Sequence, residues 1–101
     1  MEIKELQDKV DKLIEKHGGY WSPLSMLARL VEEVGELSKA MNVKFGDKKS
    51  KFNGDEKELE KEVADIIIAL TAISNYLKID LDKSLNEKME GDVKRNKGLY
   101  Y

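Results

Sequence analysis

At 101 residues the chain is one domain, 1–101, with room for a single modest core. A net charge of −2 removes the broad basic field of a nucleic-acid binder, and the absence of cysteine removes disulfides, thiol nucleophiles and cysteine-bound zinc. The lone His17 argues against a histidine-rich metal centre. Charged residues, mostly Lys and Glu, make up 38% of the chain, a usage of very soluble proteins that also resembles hyperthermophile composition. The N-terminus is charged and amphipathic, and the longest apolar stretch, "IIIAL", is far too short to span a bilayer. A cytoplasmic protein without a membrane partner is expected.

The first predicted helix runs from Glu2 to His17, with Ile3, Leu6, Val10, Leu13 and Ile14 at helical spacing. "HGGY" ends it, because Gly18 can take the left-handed conformation that closes a helix. The second opens at "SP", where Ser22 suits an N-cap and Pro23 the first helical position. Its inward stripe is Leu27, Leu30, Val31, Val34, Leu37 and Met41. "NVKFGDKKSKFNG" then reads as a polar, glycine-punctuated loop. The third helix opens at Asp55 with a capping box to Glu58 and runs to Lys78. Leu59, Val63, Ile66, Ile67, Leu70, Ile73 and Leu77 face inward. The fourth starts near Asp80, carries Leu81, Leu85 and Met89, and fades into "GDVKRNKG". The terminal "LYY" is read either as a disordered end or as a subunit contact. No strand pattern competes, so the expected fold is all-α, a four-helix-bundle-like domain of antiparallel helices.

The second and third helices carry related motifs. "LVEEVGELSKAM" (30–41) aligns with "LEKEVADIIIAL" (59–70) at a constant offset of 29 residues. Glu33 falls on Glu62, and Glu36 on Asp65. At about 100° per residue, Glu33 lies about 60° short of Leu30 and Glu36 about 120° short, on the flank of the stripe. Ala40 and Ala69 share these flanks, and small residues there either let helices approach or leave room for a guest. If the stripes pack antiparallel, the four acids converge, and four converging carboxylates need a cation between them. All-oxygen ligation selects a hard ion: Mg²⁺ first, Mn²⁺ as a substitute, Ca²⁺ less favoured. Solvated surface explains either pair alone, with Lys39, Lys57 and Lys61 as counter-charges. Two copies at matched angles, with a spare acid at Glu32, favour the metal site.

These motifs resemble the MazG-like nucleotide pyrophosphohydrolases of the all-α NTP pyrophosphatase superfamily. The resemblance rests on Glu33-x-x-Glu36 and Glu62-x-x-Asp65, separated by 25 residues, and extends through "IIIALTAISNYLKIDL" to "KMEGDVKRN". It implies Mg²⁺-dependent hydrolysis of a nucleoside triphosphate to a monophosphate and pyrophosphate, in the service of nucleotide-pool housecleaning. Glu33, Glu36, Glu62 and Asp65 would be metal ligands. Glu32, with Glu33 and Glu36 in the catalytic group, would hold a further Mg²⁺ or orient the attacking water. The resemblance also implies a homo-oligomer, dimer or tetramer. Lys88 and Arg95 match the family's C-terminal pattern and would hold phosphates, with a solvated helix end as the alternative; Asp92 stands where the family usually has Asn, and "NK" replaces "YP". Trp21 would lie against the base, and Asn75 and Tyr76 would line its pocket; ordinary packing is the alternative for all three. The lysines of 44–51 are read as a soluble loop, with a lid over phosphates as the alternative. His17 is read as a helix-end residue and not a ligand.

Three other functions compete with this reading. A di-iron bundle normally uses Glu-x-x-His pairs, and none exists here. Nucleic-acid binding by the lysine loop fits poorly with a net negative chain. A non-catalytic metal- or nucleotide-binding oligomerisation module remains the main alternative.

Overall fold

The computed structural model describes residues 1–46 and 56–96, with side chains for 1–46 and 57–91. Four helices follow in order: α1 (Ile3–Lys16), α2 (Pro23–Phe45), α3 (Glu56–Tyr76) and α4 (Leu81–Asn96). There is no strand among the described residues.

Local chemistry sets most helix ends. Ser22 Oγ accepts a hydrogen bond from the Ser25 N–H at 3.3 Å, and Pro23 takes the first turn of α2. Asp80 caps α4 in the same way, its Oδ1 accepting from the Lys83 N–H at 3.2 Å. α1 closes on Gly18, whose φ of 105° is in the left-handed region. There the Gly19 N–H bonds the Ile14 carbonyl at 2.9 Å and the Gly18 N–H bonds Glu15 at 3.3 Å. α3 closes with the same paired bonds, Ile79 to Ser74 at 2.9 Å and Lys78 to Asn75 at 3.1 Å, but with Lys78 at φ 60° where α1 has glycine.

Two boundaries differ from expectation. α2 continues through Asn42–Phe45, read above as loop, because no strong breaker precedes Gly46. α4 continues through the segment expected to fade, reaching Asn96. The Asp55 cap, the loop lysines beyond Lys44 and the "LYY" tail lie outside the described residues.

α3 is the central helix, flanked by α2 and, less extensively, by α1. Both neighbours run antiparallel to it. Met26 shares a cleft with Ala72 while Glu33, later in α2, meets Glu62, earlier in α3. Likewise Gln7 bonds Asn75, while Ile14 of α1 reaches Ile68 and Ala69. α4 makes its main contacts with α1, so the four helices pack around α3 with α4 joined at one side. Gln7 makes that joint. Its amide donates to Asn75 Oδ1 at 3.0 Å and to the Ile79 carbonyl at 2.9 Å, and its Oε1 accepts from the Leu81 N–H at 3.1 Å. Asn75 returns a bond to the Gln7 carbonyl at 2.9 Å.

The interior is rotated from the expected stripes. Val10, Met26 and Ala40 are the buried apolar residues, and Glu62, Thr71 and Ser74 the buried polar ones, among those described. Leu27, Val31, Val34 and Met41 of α2 and Val63, Ile67, Leu70 and Leu77 of α3, all expected inward, stand largely exposed; Val31 reaches 64%. The physical reason is that α2 and α3 meet along the flank that carries the acids. Their apolar arcs are wider than this contact can cover. Thr71 and Ser74 are buried at little cost, because their hydroxyls donate to the Ile67 and Leu70 carbonyls one turn back, at 2.7 and 2.8 Å.

Candidate functional site

The α2–α3 contact brings carboxylates together. Glu33, Glu62 and Asp65 each offer an oxygen, all within 4.8 Å of one another. The helical repeat explains the choice: Glu62 and Asp65 are neighbours on one face of α3, and Glu33 faces them from antiparallel α2. Glu62 is 4% exposed, and its Oε2 is buried with no hydrogen-bond partner. A buried carboxylate with an unpartnered oxygen is costly in its charged form. Burial raises the Glu62 carboxyl to about 7, helped by a hydrogen bond and charge from Glu58 and by the charges of Glu33 and Asp65. Glu58, expected only as a capping partner, thus joins the acids from one turn before Glu62.

Not all of the expected quartet converges. Glu36 is exposed and lies outside the group of three, because α2 carries it a turn beyond the point where Glu33 meets α3. Glu32 is exposed on α2.

Beside the acids lies a cleft of about 290 Å³. Ile68, Ala69 and Ala72 of α3 form one wall, Met26 and Arg29 belong to α2, Ile14 comes from α1 and His17 is the residue that caps it. Gly19, Tyr20 and Trp21 of the connection complete it, and Asp65 belongs to both cleft and carboxylate group. Thus Ala40 is buried between helices, while Ala69 leaves room for a guest. Trp21, expected against a base, lines this cleft and remains 58% exposed. Tyr20 is fixed by a 2.5 Å bond from its hydroxyl to Asp11 Oδ1 and by the Tyr76 ring, whose centroid is 6.3 Å away. Burial, and then the bond to Asp11, raises the Tyr20 phenol above its ordinary value.

Tyr76 therefore backs a cleft residue and is not itself in the lining. Asn75 is engaged with Gln7 and lies outside the cleft. Lys88 is exposed on α4 and lines neither the cleft nor the acid group. Arg95 falls within α4, its side chain outside the described set. Sequence reasoning missed three residues. Tyr20 adjoins Trp21 but belongs to no motif. His17 caps α1 as its sequence position indicates, and it also lines the cleft, its Nδ1 donating to the Leu13 carbonyl at 2.8 Å. Arg29 also lines the cleft, and its Nε donates to Glu33 Oε1 at 2.8 Å. Its position four residues before Glu33 was the available signal.

The arrangement defines a class: an all-helical protein with an acidic centre opening onto an apolar, aromatic-edged cleft. Residues 21–99 match the model of the MazG nucleotide pyrophosphohydrolase domain, and the chain belongs to this family. YpjD of Bacillus subtilis (strain 168) is 38% identical over 96 residues, spanning 94% of this chain and 86% of that protein. The crystal structure of Bacillus subtilis YpjD superposes with a TM-score of 0.81 at 37% identity, covering 90% of this chain and 94% of the other. The Bacillus-conserved MazG protein, a nucleotide pyrophosphohydrolase, matches with a TM-score of 0.77 at 35% identity, covering 90% and 88%.

Proposed function

We propose that this protein is a Mg²⁺-dependent nucleoside triphosphate pyrophosphohydrolase, converting an NTP or dNTP and water to the monophosphate and pyrophosphate. The observation that carries the reading is the convergence of Glu33, Glu62 and Asp65 around a buried, unpartnered Glu62 oxygen, at the edge of a cleft sized for a nucleobase. The donor set fits a hard divalent cation: carboxylate oxygens only, with no sulfur or imidazole among them. Glu33, Glu62 and Asp65 hold the Mg²⁺, for which Mn²⁺ substitutes. Glu36 and Glu32, on the adjacent exposed surface of α2, are the residues available to hold further metal or orient water. The bound ion supplies an activated water and offsets charge on the phosphates.

The chain's own residues do the remaining work. Trp21 offers a flat face to a base, while Ile68, Ala69 and Ala72 keep the cleft apolar. Tyr20, pinned by Asp11 and Tyr76, keeps its wall in place. Lys88 and Arg95 remain proposed phosphate contacts. The reading includes a homo-oligomer, because a second copy would cover the apolar arcs that α2 and α3 leave open.

The test is pyrophosphate release from a panel of ribo- and deoxyribonucleoside triphosphates, with Mg²⁺ or with EDTA, beside Glu62→Gln. Release that needs Mg²⁺ and is lost in the variant is expected. If folded, metal-loaded protein releases pyrophosphate from none of them, the hydrolase reading fails and the module reading takes its place.

A further inference from the structure

The cleft needs a cation that the sequence motifs do not name. A triphosphate reaching the acid group meets Glu33, Glu62 and Asp65, and a Mg²⁺ between them offsets only part of that charge. Lys4 and Lys78 are no help: they line a separate groove at the start of α1, in the company of Asp8, Asp11 and Asp80. Among the described residues lining the cleft, the permanently charged cation is Arg29.

Its bonding is incomplete in an informative way. The guanidinium gives its Nε to Glu33 Oε1 at 2.8 Å, and the side chain is still 49% exposed. Neither terminal NH₂ group has a protein partner among the described residues. A guanidinium bound only through Nε keeps a second edge of donors, and that edge has the spacing of two phosphate oxygens. Lysine cannot make this double contact, because its ammonium is a single point of charge.

We propose that Arg29 is a substrate-binding residue that bridges the two halves of the site, holding Glu33 through Nε and a substrate phosphate through its terminal NH₂ groups. The proposal rests on the triphosphate reading above and deepens it. Arg29 serves two functions there: it fixes the Glu33 carboxylate relative to the cleft, and it gives the phosphate chain one fixed point beside the metal ligands. Trp21 lines the same cleft. A nucleotide with its base at Trp21 and its phosphates at Arg29 therefore spans the cleft and arrives at Asp65 and Glu33.

The test compares wild type with Arg29→Gln and Arg29→Lys, all checked for folding by thermal melting. Turnover is measured against triphosphate concentration, Mn²⁺ affinity by electron paramagnetic resonance, and binding of an α,β-methylene deoxynucleoside triphosphate and of the parent nucleoside by calorimetry. Loss of a charge-assisted double contact is expected to raise KM, and to weaken analogue binding, about 10- to 100-fold in Arg29→Gln. Arg29→Lys should fall between the two. Nucleoside binding should stay at the wild-type value, which a collapsed cleft would not allow. Unchanged KM and analogue affinity, with altered Mn²⁺ binding, would overturn the proposal and leave Arg29 as a partner of Glu33 only. If wild type turns over no triphosphate, the hydrolase reading fails separately. Analogue binding then decides the arginine's role: a loss in Arg29→Gln sustains it, and equal affinity, or no binding to wild type at all, rejects it.

Discussion

Glu62 is a side chain whose folded environment disagrees with its charge. Its carboxyl lies at about 7 against an ordinary 4.5, because burial and the neighbouring acids favour the protonated form. The folded state therefore holds this proton more tightly than the unfolded chain. The associated stability is complete below pH 4.5 and is lost as pH rises through about 7. Metal-free protein should melt at progressively lower temperature across that window. Glu62→Gln should flatten the slope, and added Mg²⁺ at the upper end should restore the wild type alone. A metal-free melting temperature that climbs over the same range would contradict this assignment. Ala69 gives a second prediction at this scale. Ala69→Leu fills part of the 290 Å³ cleft and should weaken nucleotide binding about tenfold or more, while Mn²⁺ affinity and the far-ultraviolet spectrum stay as they are. That Glu62 and Asp65 would share one face was legible in the sequence, because a fixed i, i+3 spacing survives folding unchanged. That Glu36 would stand apart was not, since it depends on where two helices cross. His17 escaped because no local pattern places it in the cleft, and Arg29 because its i, i+4 spacing to Glu33 signals an ion pair but not a place in the cleft.

Helices report their own ends more openly than their neighbours. Ser22–Pro23 and Gly18 were readable because capping is chemistry within a few residues, and the structure keeps both as expected. The end of α2 is hidden in the sequence because polar composition resembles a loop, although nothing before Gly46 stops a helix. The end of α3 invites a measurement. Lys78 sits at φ 60°, a conformation that costs a residue with a Cβ about 1 kcal/mol or more. Lys78→Gly should therefore stabilise the fold by about 0.5–1 kcal/mol in urea denaturation, after glycine's own entropic cost is subtracted. The joint of α4 to α1 works in the opposite direction. Gln7→Ala removes three side-chain bonds to Asn75, Ile79 and Leu81. It should cost about 1–3 kcal/mol, and hydrogen exchange should accelerate first at the start of α4. Uniform acceleration along the chain would show that the joint is not local.

Across the whole molecule, the apolar pattern exceeds what one chain uses. Periodicity marked Val31, Val34, Ile67 and Leu70 as one apolar arc, but the chain itself leaves them exposed, and the proposed assembly is what would cover them. Light scattering after size exclusion should give a mass of at least two chains. Val31→Lys or Ile67→Lys should shift it toward one and lower the melting temperature, whereas a wild-type monomer at every concentration would reject the assembly. The open arcs also bear on how the protein is made. Among the described residues only Val10, Met26 and Ala40 are apolar and buried, so a solitary chain has little of its own to hold it shut. In the proposed assembly dilution would act as a denaturant: the midpoint of unfolding would shift with the logarithm of chain concentration, and folding would acquire a bimolecular step. Newly synthesised copies would then persist only where others already exist, making abundance itself a condition for the acidic centre to form.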